Sequence, residues 1–311
     1  MSKGTNSGSD SGASHLVFDR RQVRAHRQRA ARLAGSYGFL HERVVEALAD
    51  RLADVNRDFA RALVLGCHDG AALAPLAASS KIGWLAAADL APGFTALSGR
   101  PAFAADEELL PLAEASLDLV VAPLSLHWVN DLPGALIQIN RALKPDGLFL
   151  GAMLGGETLV ELRDVLLEVE SEVTGGASPR VSPMADVADA GGLLQRAGFA
   201  LPVVDRDRFT VSYENLFRLI ADLRGMGETQ AALARRHAIP PRAFWPAAAQ
   251  RYHERFAEAD GRIPATFQVI YLSGWRPDRG QQQPLRPGSA ETRLAEALET
   301  EELPAGDKTP F

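Results

Sequence analysis

Apolar and polar positions alternate along the chain in two distinct periods. From Phe39, the apolar residues Leu40, Val44, Val45, Leu48, Leu52 and Val55 recur at helical spacing, which predicts an amphipathic helix. The pattern then shortens. "RALVLG" reads as a buried strand, "GAALAPLAAS" as a short helix, "IGWLAAAD" as a second strand ending in Asp89, and "PAFAADEE" as a third ending in Asp106 and Glu107. "LDLVVAPLSLHW" is continuously apolar, as parallel strands buried on both faces tend to be. "LPGALIQINRAL" is amphipathic, "KPDG" signals a turn, and "LFLGAML" is a fifth strand. This alternation predicts an α/β protein with a doubly wound, Rossmann-like parallel sheet.

After "GGE" the pattern changes. "TLVELRDVLLEVESEV", "DVADAGGLLQRAGFA" (ending at Gly198), "NLFRLIADLRGMGE", "TQAALARRHAI" and "AFWPAAAQRYHERFAEADGR" read as helices, while "PVVDRDRFTVSY" and "IPATFQVIYLSGW" read as strands. The expected organisation is a flexible tail over 1–16, a cofactor-binding core with N-terminal helices over 17–155, a helical cover with a closing strand over 156–276, and a loosely held tail over 277–311. The basic stretch "FDRRQVRAHRQRAARLAG" predicts a further helix, either packed near a site mouth or simply solvated.

Composition narrows the function. A net charge of −6 argues against bulk electrostatic binding of nucleic acid. The single cysteine, Cys67, excludes an internal disulfide and a cysteine-cluster metal site. No apolar run is long enough to span a membrane. The expectation is a cytoplasmic protein with no integral membrane segment.

The chemistry should gather at the carboxyl ends of the strands, where open α/β sheets bind ligands. "LGCHDG" lacks the G-x-G-x-x-G of dinucleotide folds, and Asp69 puts a carboxylate where a pyrophosphate would lie. S-adenosyl-L-methionine has no phosphate. It needs close backbone approach at Gly66, His68 and Gly70, an acid such as Asp89 for its ribose hydroxyls, and a polar contact such as Asp106 for its adenine; Glu107 and Leu124 are further cofactor candidates, with a solvated loop position the alternative for Glu107. Asp69 also has the position to cap the next helix.

These residues resemble the class I methyltransferase fold. More closely, "FDRRQVRAHRQRAA", "LGCHDG", "LSLHWVNDLP", "DLRGMGE" and "IPATFQVIYLSGW" resemble a family of mitochondrial complex I assembly factors and their bacterial relatives, over roughly residues 17–276. The core is also similar to the malonyl-carrier-protein methyltransferases of biotin synthesis. The resemblance implies S-adenosylmethionine as cofactor, a protein client such as a complex I subunit, and hydroxylation of an arginine on it. It departs at Val64, where the family carries an acid, and at His68, where it carries glycine. Two alternatives stay open: methyl transfer to a small molecule or carrier protein, and a non-catalytic assembly chaperone.

Ser125, His127 and Trp128 are the catalytic candidates, with His127 either a base, a role open to an imidazole, or a structural hydrogen-bonding residue, and Trp128 a pocket wall. No histidine begins a local H-x-D/E, so no metal site is expected. In the cover, Asp222, Arg224 and Glu228 sit near a glycine-rich turn where a client arginine would find carboxylates; ordinary helix-end charges are the alternative.

Overall fold

The computed structural model describes residues 16–70, 73–176, 178–184, 190–281, 296 and 300. The chain divides at Pro277 into two compact units, and the first, Met1–Pro277, contains the sheet and its helices. Most of the expected C-terminal tail lies outside the described residues, as do residues 1–15 of the expected N-terminal one.

Seven strands form one sheet: β1 (Phe59–Leu65), β2 (Ile82–Asp89), β3 (Ala102–Ala104), β4 (Leu117–Pro123), β5 (Leu143–Leu154), β6 (Ala200–Tyr213) and β7 (Ile263–Trp275). Their order is β3-β2-β1-β4-β5-β7-β6. The first five are parallel, and β7 pairs antiparallel with both β5 and β6. Strand order reverses between β1 and β4, so the ligand crevice of such a sheet lies beyond Leu65 and Pro123.

The central strands bury both faces. Ala62 and Val64 of β1 pack into one core with Leu40, Val44 and Leu48 of helix α2 (Phe39–Ala53). Leu63 and Leu65 pack into the other with Leu136 and Ile139 of the later helix Leu132–Ala142. Every one of these side chains is at most 1% exposed, so truncating Leu48 to alanine should cost about 2–5 kcal/mol. Helix α1 (Arg20–Ala30) is capped by Asp19, whose carboxylate accepts from the Gln22 N–H at 3.1 Å. It is no solvated helix, because Val23, His26, Arg27 and Ala30 are all buried. Between the strands run α3 (Ala74–Ala78), α4 (Pro92–Leu97) and α5 (Leu132–Ala142); α6 (Val160–Thr174), α7 (Ala190–Arg196), α8 (Leu216–Met226) and α9 (Phe244–Phe256) follow β5.

Several expectations need correction. The third strand stops at Ala104, leaving Asp106 and Glu107 on the following loop. The fourth stops at Pro123, because Leu124 takes φ +48° and the chain enters a 3₁₀ turn at Leu126–Trp128. "KPDG" does not break the fifth strand; Asp146 takes φ +60° within β5, so the turn signal became a kink. "TQAALARRHAI" forms no helix. Its alanines are recruited by the N-terminal segment: Phe18 bridges Ala232, and the Asp19 N–H donates to the Ala231 carbonyl at 2.8 Å. Asp69 does not cap α3, whose N-cap is Leu73; its carboxylate accepts from the Gly35 N–H at 3.1 Å. Part of "DVADAGGLLQRAGFA" lies outside the described residues, and its visible helix, α7, ends before Gly198 at φ +84°.

Candidate functional site

Gly66 follows β1 with φ +82°, a conformation that glycine adopts without penalty. A Cβ there would lie 2.4 Å from the Ser125 Cβ, and one at Gly70 would lie 2.4 Å from the Leu97 carbonyl oxygen. Both glycines are therefore demanded by the protein's own packing. His68 takes φ +51°, which costs a non-glycine residue about 1 kcal/mol. Its ring is stacked between His41, at 4.7 Å, and Phe94, at 4.2 Å, and those contacts offset the strain. Burial holds both His41 and His68 down to about 3, so both are neutral near pH 7.

Asp89 ends β2 where expected, and it is fully buried. Arg27 of α1 donates from Nε to Oδ1 (3.1 Å) and from Nη2 to Oδ2 (2.5 Å). The Ala91 N–H donates to Oδ1 (2.9 Å) and the His68 N–H to Oδ2 (3.2 Å). Four donors saturate a carboxylate. One face of α1 carries Arg20 as well, two turns before Arg27. Arg20 donates to Asp106 (2.6 Å), to Glu107 and to the Trp128 carbonyl (3.1 Å). Glu107 is 2% exposed, and burial pushes its carboxyl up. The remaining space, bordered by Arg27, His41, His68, Leu124 and Glu228, is about 10 Å³, room for about one water. S-adenosylmethionine does not fit this arrangement. Its expected ribose acid has no acceptor left, and the expected adenine acid Asp106 and the further candidate Glu107 are already engaged by Arg20 of α1.

The three catalytic candidates lie together just past β4, but none presents a free reactive atom. Ser125 Oγ donates to the Leu65 carbonyl at 3.2 Å. His127 accepts a long bond at Nδ1 from the Leu154 N–H (3.5 Å), so Nε2 carries the proton. That Nε2 donates to Glu228 Oε2 at 2.9 Å, and Trp128 Nε1 donates to the same oxygen at 3.0 Å. His127 is thus a hydrogen-bond donor in this arrangement, which matches the structural alternative to a base.

Glu228 is the carboxylate that these two residues orient, and the glycines of "RGMGE" deliver it. Gly225 lies flat on Tyr37, where a Cβ would meet the ring at 2.2 Å. Gly227 ends α8 at φ +85°, and the Glu228 N–H donates back to the Leu223 carbonyl at 2.8 Å, a Schellman closure. Among the described residues nothing bonds Oε1 of Glu228. Its side chain, 7% exposed, borders a second and far larger cleft of about 900 Å³ between α1, α6, α8 and α9. Leu162, Leu166, Phe217, Ile220 and Trp245 supply its apolar walls. Sequence reading placed Glu228 in the cover near a client arginine; its contact with His127, a hundred residues earlier, had no local signal.

A methyltransferase-domain family matches residues 63–151. The solved structure of the Bacillus subtilis YcgJ protein shares the fold, with a TM-score of 0.50 at 14% identity over 75% of this chain and 98% of that one. A malonyl-[acyl-carrier protein] O-methyltransferase from Methylovorus sp. (strain MP688) is 34% identical over 85% of this chain and 92% of its own length. The mitochondrial arginine-hydroxylase NDUFAF5 of Homo sapiens is 43% identical over 97% of this chain and 89% of its own length. That similarity overturns the cytoplasmic expectation, since these relatives are mitochondrial proteins; an acidic composition and the lack of an apolar N-terminal run do not discriminate between the two compartments. No helix among the described residues is long and apolar enough to cross a membrane. With that identity across nearly its whole length, the chain belongs to the NDUFAF5 arginine-hydroxylase family of class I methyltransferase-fold enzymes.

Proposed function

We propose that this chain modifies an arginine side chain of a client protein, a complex I subunit by family resemblance, in the cleft that ends at Glu228. One observation carries the reading: an oriented, nearly buried carboxylate with one oxygen fixed by His127 and Trp128 and the other open to bonding. Such a group suits a guanidinium, which offers planar N–H donors to carboxylate oxygens. His127 and Trp128 act as positioning residues in this reading, and the apolar walls carry the aliphatic stem of the client arginine. S-adenosylmethionine, the cofactor of this fold, requires Arg27 to leave Asp89 before it can enter, so no step is assigned to it. Glu228→Gln keeps the shape and removes the charge. An arginine-bearing client peptide should bind this variant about tenfold to a hundredfold more weakly, as expected for a lost charge-assisted hydrogen bond. With the client incubated in air with a reductant and S-adenosylmethionine, mass spectrometry should show a mass gain with the native protein and none with Glu228→Gln. Unchanged binding and modification by Glu228→Gln would sink the reading.

A further inference from the structure

The cleft carries more positive charge than its one carboxylate calls for. Five arginines border it: Arg29, Arg180, Arg224, Arg235 and Arg236. Three are ion-paired within the protein, against two carboxylates between them. Arg180 and Arg236 both hold the fully buried Glu170, at 2.6 and 2.9 Å, and Arg235 holds Asp19 at 2.9 Å. The other two are different. Arg29, near the end of α1, and Arg224, in the last turn of α8, are exposed and have no ion-pair partner among the described residues. Helices α1 and α8 pack against each other, so the two guanidinium groups belong to one wall of the cleft. The charge of Arg29 is felt nearby: burial first, then that charge, hold His26 down to about 4.

A rim of this sign repels a lone arginine approaching Glu228. It attracts one that arrives with carboxylates beside it. We infer that the client segment carries Asp or Glu next to the arginine that reaches Glu228, and that Arg29 and Arg224 recognise those carboxylates. The inference rests on the reading of Glu228 as the guanidinium acceptor, and it adds a sequence requirement to it. Glu228 selects the reacting side chain, while Arg29 and Arg224 select its surroundings. Because both arginines are solvated, their contribution should fade with salt, whereas the bond at the nearly buried Glu228 should persist.

Three fluorescent peptides of equal length separate these roles when titrated into the full chain. One has a central arginine flanked by glutamates, one has the same arginine flanked by lysines, and one has citrulline in place of arginine between glutamates. The native protein should bind the glutamate-flanked peptide at least about tenfold tighter than the lysine-flanked one, with the margin shrinking in high salt. The double charge reversal R29E/R224E should invert that order, and the milder R29Q/R224Q should abolish it; the urea midpoint of each variant verifies folding. Equal affinity of the native protein for the two flanked peptides, an order that survives R29E/R224E, or no binding of the glutamate-flanked peptide overturns the inference. The citrulline peptide tests the underlying reading by itself. If it binds as tightly as its arginine counterpart, Glu228 is no guanidinium acceptor; if it fails while flanking charge makes no difference, the rim proposal alone falls.

Discussion

At the scale of single residues, the site is governed by one saturated carboxylate. Asp89 is buried, and its bonds to Arg27 and to the Ala91 and His68 N–H groups leave no lone pair for a ligand hydroxyl. Replacing Arg27 with methionine strands that charge and should lower stability by about 3–5 kcal/mol, read from the urea midpoint. Adding Asp89→Asn to Arg27→Met should recover a good part of the loss. Calorimetry should find no micromolar binding of S-adenosylmethionine to the native protein; tight native binding would refute the closed arrangement. The histidines give a pH signature. His41 and His68 titrate near 6.5 when unfolded and near 3 when folded, so each contributes stability above about pH 6.5 that is lost as pH falls toward 3. The His68→Phe variant should therefore lose less stability than the native chain between pH 6.5 and 5, by up to about 1.4 kcal/mol per pH unit. Sequence reading located Asp89, Gly66 and Gly70 from the strand pattern, because strand ends are local features. It missed Arg27 as their partner, because the two residues lie 62 positions apart and arginines at helical spacing look the same whether solvated or paired.

At the scale of elements, α1 behaves as a strap pinned at its start. The side-chain oxygen of Asn130 accepts from the N–H groups of Val17 (2.8 Å) and Phe18 (2.7 Å), and its amide donates to the Phe18 carbonyl (3.2 Å). Phe18 then meets Trp128 edge to face at 5.4 Å. Asn130→Ala removes that anchor, and the amides of α1 should exchange hydrogen faster while those of α2, docked in the core by Leu40, Val44 and Leu48, stay protected. Undiminished protection of α1 would show that Arg20 and Arg27 suffice to hold it. The helical periods of α2 and α8 were readable because their apolar faces are continuous. The segment 229–239 was misread because an alanine-rich run has helical propensity but no partner face, and the chain spends Ala231 and Ala232 on Phe18 and Asp19 instead.

At the scale of the molecule, the parallel core and the later elements share one sheet. β7 inserts between β5 and β6, pairing from Leu148–Trp275 to Leu154–Val269, so a boundary near residue 155 cuts through a continuous ladder. A fragment comprising residues 17–155 should therefore fail to show cooperative unfolding, since it exposes the β5 edge and the apolar surface that α6 and β7 cover. A sharp two-state transition in that fragment would restore the two-part organisation expected from the change in pattern. The tight fit of Gly66 against Ser125 and of Gly70 against Leu97 has a wider bearing. Mutation at either position is penalised by the neighbouring backbone and side chains whether or not any small molecule ever visits the turn. The glycine signature of this fold can thus outlive the chemistry it once served, held in place by steric necessity, so its presence in a related chain is testimony about architecture rather than about occupancy.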